Sequence, residues 1–158
     1  MIDDLFSLLS DLDGVAQSPR YHPEGDALFH SLQVFELATR SSTDRVLWAV
    51  ALFHDIGKAE AGADHAEVGA DLLEGVLAPR AVWLVRHHLD LLRDARGTRR
   101  RHLNTPALSD LEKLRGWDLR GRNPHARVMS IECAFDKLFD GDTSMFDDNE
   151  GTFDPFSP

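Results

Sequence analysis

Apolar residues recur every three or four positions along most of the chain, which is the spacing of α-helices that bury one face. Leu5, Leu8, Leu9 and Leu12 show this pattern first. It predicts a first helix over 1–12, a second that begins after an Asp26 cap, and a third from Ser42 or Thr43 to Gly57. Further helices are predicted over 64–77, 80–92, 106–120 and 124–139. No stretch shows the two-residue period of a strand. We therefore predict an all-α, single-domain bundle of about six to seven helices.

Polar segments mark the predicted breaks between these helices. Thr105 and Pro106 are a helix N-cap followed by proline at the first helical position, and Asn123-Pro124 is interpreted as the start of the last helix. Residues 93–105 are polar and rich in arginine, which we interpret as a loop. We place the domain over 1–140. We interpret 141–158 as an irregular acidic tail that is mobile or wraps the body, with Phe146, Phe153 and Phe156 as anchors.

Length and composition narrow the class of protein. A chain of 158 residues is close to one domain and buries enough surface to fold without disulfides. Its single cysteine, Cys133, excludes an intramolecular disulfide and a zinc site with several cysteines. No apolar run approaches 18 residues, and the first residues are acidic where a signal peptide is basic. We expect a soluble, cytoplasmic protein with no membrane segment.

The net charge of −10 argues against nucleic-acid duplexes as stable partners, because affinity for phosphate backbones depends on Lys and Arg. The segment from Asp136 onward carries −6 of this charge. A small phosphorylated ligand in a local pocket remains compatible with the composition. The arginines within 93–101 are interpreted either as a rim that attracts phosphate or as partners of the acidic tail.

Histidines and aspartates at helix positions are the candidates for chemistry. Each of them, taken alone, is compatible with a structural role. Together they form a ligand set that suits Fe, Mn, Co, Ni or Zn, with Mg favoured as oxygen ligands increase. The candidates are His30, the pair His54-Asp55, His65, the pair His87-His88, and Asp118.

The order H…HD…H…HH…D over these helices resembles the metal site of the HD superfamily of metal-dependent phosphohydrolases. The resemblance covers residues 21–125 and includes ALFHDIGK, an apolar helix that ends in the His-Asp pair. The segments YHPEGDALFHSLQVFELA and WDLRGR are similar to the HD domain of bacterial tRNA nucleotidyltransferases. We expect no nucleotidyltransferase domain in 158 residues.

The resemblance implies one or two divalent metal ions per chain, with Mn, Co, Ni, Fe or Mg as candidates. It implies that His30, His54, Asp55 and Asp118 bind the first ion, and that His65 and His88, with His87 as the alternative to His88, bind the second. Asp55 is the implied bridge between the ions. Lys58 matches a lysine that contacts phosphate oxygens, so Asp55 and Lys58 are the expected catalytic residues.

The implied reaction is hydrolysis of a phosphomonoester or phosphodiester by metal-activated hydroxide. The expected substrate is a nucleotide or another small phosphorylated molecule. Lys58, Arg86, Arg120 and Arg122 are candidates to bind it because they lie near metal residues in the sequence. Glu24 and Glu67 lie near His30 and His65 and are candidates to orient these ligands.

Two other functions compete with phosphoester hydrolysis. The same helical scaffold supports di-iron oxygenases with a similar set of histidines and aspartates. A non-catalytic nucleotide-binding module would also keep an intact ligand set. Trp48, Trp83 and Trp117 are assigned to core packing or, with the apolar tail residues, to a homodimer interface.

Overall fold

The computed structural model describes residues 1–148 and 151–158. The regular secondary structure within these ranges consists of helices. It contains two isolated backbone bridges and no strand in the described residues, which confirms the all-α prediction. The helices are α1 (Ile2–Ser10), α2 (Ala27–Ser41), α3 (Arg45–Phe53), a 3₁₀ helix (Ile56–Ala59), α4 (His65–Leu73), α5 (Pro79–His87), α6 (Asp90–Arg93), α7 (Ala95–Arg101), α8 (Pro106–Arg120) and α9 (Ile131–Leu138).

Helix α3 is the centre of the fold. Every residue from Val46 to Phe53 is buried, and the helix packs against α2, α5, α8 and α9. A helix that is apolar on all sides is stable only when it is surrounded in this way. Its first turn is capped by Asp44, whose carboxylate accepts hydrogen bonds from Val46 N and Leu47 N. The cap lies one or two residues beyond the predicted Ser42 or Thr43.

The predicted loop over 93–105 is wrong, because most of this segment is helical. Asp94 caps α7 by accepting a hydrogen bond from Gly97 N at 2.9 Å. Thr98 is fully buried, and its hydroxyl donates to the carbonyl of Asp90. Arginine has a high helix propensity, so a capped run of arginines forms a helix without an apolar stripe. This segment and the break after α5 raise the helix number above the predicted six to seven.

The predicted start of the last helix at Asn123-Pro124 is also wrong, since α9 begins at Ile131 after a Ser130 cap. Contacts with α2 hold the intervening segment outside a helix. The Gln33 side chain accepts from Asn123 N and donates to Asn123 O, both at 3.0 Å. Glu36 accepts a hydrogen bond from Met129 N at 2.8 Å. These tertiary bonds replace the intrahelical bonds that the sequence pattern predicted.

The described part of the tail wraps the body, as one of the two interpretations of this segment proposed. Met145 is fully buried, and its carbonyl accepts from Ala78 N at 2.7 Å. Phe146 stacks on Phe139, and Phe153 and Phe156 contact the rings of Trp83 and His102. All three predicted anchors therefore pack against rings of the helical body. Asn149 and Glu150, which also belong to the predicted tail, lie outside the described residues.

The tryptophans serve packing within the chain. Trp48 and Trp117 are buried in the core, and their indole nitrogens donate to Ser42 O and Ser41 Oγ. Trp83 stacks on His87 beneath the tail. In the described ranges, no helix combines the length and the apolar character that crossing a membrane requires.

Candidate metal centre

The predicted site residues come together where five helices and the 3₁₀ helix meet. All six side chains lie near helix ends: His30 is in the first turn of α2, and Asp118 is in the last turn of α8. His54 follows the last residue of α3, and Asp55 immediately precedes the 3₁₀ helix. His65 is the first residue of α4, and His88 follows the last residue of α5.

The two carboxylate oxygens of Asp55 face different pairs of histidines. Oδ2 lies 3.3 Å from His54 Nε2 and 3.8 Å from His30 Nε2. Oδ1 lies 3.2 Å from His65 Nε2 and 3.6 Å from His88 Nε2. The donor atoms thus form two groups that share Asp55, each compact enough to hold one metal ion. The structure thus brings together the histidines that the sequence resemblance implied for the two groups.

Backbone carbonyls fix the orientation of all four imidazole rings. The Nδ1 atoms lie within hydrogen-bond distance of Gly121 O for His30, Ala51 O for His54, Gly62 O for His65 and Val85 O for His88, at 2.6–3.0 Å. A carbonyl only accepts hydrogen bonds, so each Nδ1 must carry the proton. In the neutral ring the Nε2 lone pair then faces Asp55, as metal-binding histidines require.

The four Nε2 atoms are buried and have no hydrogen-bond partner within the described part of the chain. Buried polar atoms without partners are rare because their desolvation is costly. Four of them around one carboxylate form a set of nitrogen and oxygen donors that fits a divalent transition metal. The donors therefore fit a metal site better than a structural cluster.

Asp118 completes the group around His30, with Oδ1 3.1 Å from His30 Nε2. Two arginines hold its carboxylate in place. Arg115 Nη1 lies 2.6 Å from Oδ2, and Arg122 Nη2 lies 3.2 Å from both oxygens. Arg115 lies about one helical turn before Asp118 on α8, and Arg122 lies two residues beyond the end of that helix.

A cleft of about 720 Å³ opens over this centre. Its floor includes His54, Asp55, His65 and His88. The wall carries cationic side chains and apolar side chains, the latter including Leu92 and Leu119, which are 59% and 49% exposed. The cations are Lys58, Arg93, Arg115 and Arg122.

The match to a known family covers residues 28–138, more than half of the chain, and that family is the HD domain. The chain belongs to the HD domain family. HD domains form a superfamily of metal-dependent phosphohydrolases that bind divalent metals. The resemblance to this superfamily that the order of histidines and aspartates indicated is therefore confirmed.

Several curated relatives of this HD domain are named "Multifunctional CCA protein". The protein of Hahella chejuensis is 38% identical over 90 residues, which cover 50% of this chain and 21% of the relative. That of Thioalkalivibrio sulfidiphilus is 45% identical over 60 residues, covering 38% and 15%. That of Halorhodospira halophila is 37% identical over 91 residues, covering 49% and 22%. The chain spans about a fifth of the length of these relatives.

Charges within the HD domain shift the pKa values of the clustered groups. Burial lowers the pKa of His30, but the carboxylates of Asp118, Glu24 and Asp55 outweigh it and raise this pKa to about 9. Burial raises the pKa of Asp55, but the neighbouring His54 and Lys58 outweigh it and hold this pKa well below its usual range. Asp118 is also held ionised, with its pKa lowered by His30 and His54 against the opposing effect of burial.

His88 behaves differently from His30, because burial dominates and lowers its pKa. It is therefore a neutral imidazole at neutral pH, the protonation state that binds metals. The adjacent His87 lies outside the cleft. Its Nδ1 is 2.9 Å from Asp90 Oδ2, and its ring stacks on Trp83. Of the two alternatives, the structure brings His88 to the centre.

Lys58 contacts the centre directly. Its Nζ lies 2.6 Å from Asp55 Oδ2 and also donates to Gln17 Oε1. Glu24 lies behind the centre, with Oε1 2.9 Å from His30 Nδ1, so it is placed to orient that ring. Glu67 does not approach His65 in this way, because it pairs with Arg86 at 2.6 Å.

Two of the predicted substrate-binding residues lie away from the cleft of the HD domain. Arg86 forms ion pairs with Glu67 and Asp71, at 2.6 and 2.9 Å. Arg120 lines shallow surface grooves elsewhere. Proximity in sequence to a metal residue is not sufficient, because neighbouring positions on a helix face different directions. Arg122 and Lys58, in contrast, line the cleft.

Sequence reasoning did not single out two charged or polar residues of this cleft, Arg115 and His22, and it placed Arg93 only in a cluster with two alternative interpretations. Arg115 was detectable, since a residue three positions before Asp118 shares its helical face. Arg93 belongs to the arginine cluster, but its position depends on α6. The sequence pattern assigned the residues of α6 partly to the predicted helix over 80–92 and partly to the predicted loop over 93–105. His22 lies in the loop before α2 and had no periodic pattern to mark it.

Proposed function

We propose that this HD domain is a metal-dependent phosphohydrolase that cleaves a phosphomonoester or phosphodiester bond of a nucleotide or another small phosphorylated substrate. One observation carries the proposal: four buried Nε2 atoms without hydrogen-bond partners in the described chain surround the two oxygens of Asp55, and three of these rings line a cationic cleft. An oxygenase would have no evident use for the concentration of lysine and arginine on the wall of this cleft.

We assign the metal ligands to two groups with Asp55 in common. His30, His54 and Asp118 belong to the group at Oδ2, and His65 and His88 belong to the group at Oδ1. A divalent ion held by these residues would lower the pKa of a bound water towards about 7 and so would supply hydroxide at neutral pH. The ligand types accommodate Mn, Co, Ni or Fe, with Mg as a harder alternative.

In this proposal the cationic side chains of the cleft bind the phosphate group of the substrate. Lys58, Arg93, Arg115 and Arg122 only donate hydrogen bonds, and phosphate oxygens only accept them when ionised. Their charges also offset the negative charge that develops on the transferring phosphoryl group. Lys58 contacts Asp55 and is therefore the cation nearest the reacting atoms.

The proposal that the substrate is a nucleotide rests on two further observations. The cleft combines phosphate-binding cations with exposed apolar side chains, of which Tyr21, Leu92 and Leu119 are the most exposed. A nucleoside phosphate presents an anion and a flat, largely apolar base together. The curated relatives are named for CCA, a nucleotide sequence, which is consistent with this class of substrate.

The first experiment compares wild type with Asp55→Ala, His88→Ala and His87→Ala. Metal content is measured by elemental mass spectrometry on protein purified without a histidine tag. We expect one or two divalent ions per chain in wild type and in His87→Ala, and a large loss in the other two variants. His87 is the matched control, since it is the adjacent histidine and lies outside the cleft.

Activity is then measured with a panel of nucleotides and small phosphoesters in each metal, under air and under anaerobic conditions. Phosphate release that persists without oxygen supports the proposal. Turnover that requires oxygen and two irons would instead show an oxygenase. Metal binding with no turnover of any phosphoester would leave a nucleotide-binding module, and absence of metal uptake would contradict the site itself.

A further inference from the structure

His22 lines the cleft and belongs to none of the groups assigned above. Its ring contacts His30 edge to face, with 5.0 Å between the ring centroids, and its side chain is 15% exposed. It lines the same cleft as Asp55, Lys58 and Arg122. A histidine so close to a proposed ligand and open to the cleft is placed to touch a bound molecule.

Glu24 fixes which nitrogen of His22 faces the cleft. Its Oε1 lies 2.9 Å from His22 Nδ1 and 2.9 Å from His30 Nδ1, and its side chain is fully buried. A carboxylate only accepts hydrogen bonds, so both rings must present an N–H at Nδ1. The neutral His22 ring therefore carries its lone pair on Nε2. That atom has no hydrogen-bond partner among the described residues and is not sealed from solvent.

The other polar side chains of the cleft wall have the opposite character. Lys58, Arg93, Arg115 and Arg122 offer donors alone. A phosphate oxygen is satisfied by these donors and is repelled by the lone pair of His22. The group that matches an acceptor at this position is a hydroxyl, which has a hydrogen to donate. Because His22 contacts a ring of the proposed metal group, this hydroxyl must be close to the ester bond.

We propose that His22 is a substrate-contacting residue that selects phosphate esters with a hydroxyl on the carbon next to the esterified carbon. Its Nε2 accepts a hydrogen bond from that hydroxyl, and Glu24 holds the acceptor in place. The inference rests on the proposed function, since it assumes a phosphate ester at the centre. It deepens that function by naming a chemical feature of the substrate.

The test compares a ribonucleoside 3′-monophosphate with its 2′-deoxy counterpart, which differ in this one hydroxyl. A site built to hydrogen-bond a hydroxyl discriminates strongly against the analogue that lacks it. We expect wild type to favour the hydroxylated nucleotide in kcat/KM by about tenfold or more. In His22→Phe the two values become equal, because activity on the hydroxylated nucleotide falls to that on the deoxy form.

His87→Phe is the matched control, because His87 also pairs Nδ1 with a carboxylate but lies outside the cleft. Its preference stays that of wild type. Damage to folding, or contact of His22 with the attacking water, lowers both activities equally. An unchanged preference in His22→Phe, or no preference in wild type, would overturn the proposal.

Binding of both nucleotides to the Mn-loaded protein, measured by calorimetry, separates this inference from the proposed function. If no nucleotide is hydrolysed but binding shows the same His22-dependent preference, the hydrolase proposal fails and the inference stands. If hydrolysis occurs while neither kcat/KM nor the dissociation constant depends on the hydroxyl, the hydrolase proposal stands and the inference fails.

Discussion

Gly57 lies directly against the backbone of His65. A Cβ atom at Gly57 would be 2.1 Å from the carbonyl oxygen of His65 and 2.7 Å from Gly69 N. No side chain fits at this distance, so the absence of a Cβ allows the 3₁₀ helix to pack on the first turn of α4. This contact places His65 beside Asp55, which immediately precedes the same 3₁₀ helix.

Gly57→Ala is therefore expected to separate the 3₁₀ helix from α4. We expect a loss of about 3 kcal/mol or more in the free energy of unfolding, since the clash involves backbone atoms that cannot rotate away. Denaturant unfolding measures this loss. Gly62→Ala is the control, because a Cβ there meets no atom within 4 Å, and it should change the free energy by less than about 0.5 kcal/mol. Similar stability of the two variants would contradict the packing.

Removal of the metal is expected to lower thermal stability. A ligand that binds only the folded protein stabilises it by about 2.7 kcal/mol at 100 times its dissociation constant. For a chain of this length the loss corresponds to a fall in Tm of about 5–10 °C on treatment with a chelator. Scanning calorimetry measures the shift. The Tm of Asp55→Ala should not respond to the chelator, and a response equal to that of wild type would remove Asp55 from the metal site.

Metal uptake should depend on pH through His30. Its pKa of about 9 in the metal-free protein means that the ring is protonated at pH 7.5 and must release that proton to bind a metal. The apparent affinity should therefore fall about tenfold per pH unit as pH decreases from 9 to 7. Calorimetry in buffers of different ionisation enthalpy counts the protons released. Uptake without proton release at pH 7.5 would contradict this prediction.

The same pKa predicts how the metal-free protein responds to alkali. The pKa of His30 in the folded state, about 9, lies above its ordinary value near 6.5. Its contribution to stability is thus complete below about pH 6.5 and is lost as pH rises through 9. Denaturant unfolding of the metal-free protein at pH 7 and pH 9.5 measures the loss. The pH dependence should be smaller in His30→Gln, which has no titratable ring at this position.

Arg122 and Arg120 are two residues apart and have different surroundings. Arg122 lines the cleft and contacts Asp118, whereas Arg120 lies in surface grooves away from the cleft. Arg122→Ala should lower kcat/KM for phosphoesters by about 10- to 100-fold, because it removes a charge near the transferring group. Arg120→Ala should stay within about twofold of wild type. Steady-state kinetics with the metal-loaded variants test the pair, and equal losses would contradict the assignment of Arg122.

The all-helical fold could be predicted from the sequence because the spacing of apolar residues, every three or four positions, directly indicates the buried face of each helix. It also predicted that His30, His54, Asp55, His65 and Asp118 would meet, since their order matched a known arrangement. Sequence alone left His87 and His88 as alternatives, because only the packing of α5 decides which ring turns inward. A neighbouring pair of histidines carries no information about the rotation of its helix.

The errors came from segments whose structure depends on distant partners. Residues 123–130 avoid a helix because Gln33 and Glu36 on α2 bind their backbone. The helix at 95–101 needs its Asp94 cap and the burial of Thr98, neither of which an apolar pattern reveals. His22 and Arg93 reach the cleft only through the path of loops and short helices. Tertiary contacts of this kind are absent from local sequence patterns.

The proposed ligands come from separate elements of the fold, from His30 on α2 to Asp118 on α8. A peptide with the ALFHDIGK segment holds only His54 and Asp55 of this set. The full set exists only after α2, α3, α4, α5 and α8 have packed together. High-affinity metal capture should therefore be the last kinetic step when the unfolded chain is diluted into buffer. A metal-sensitive dye in a stopped-flow instrument would then time the completion of folding.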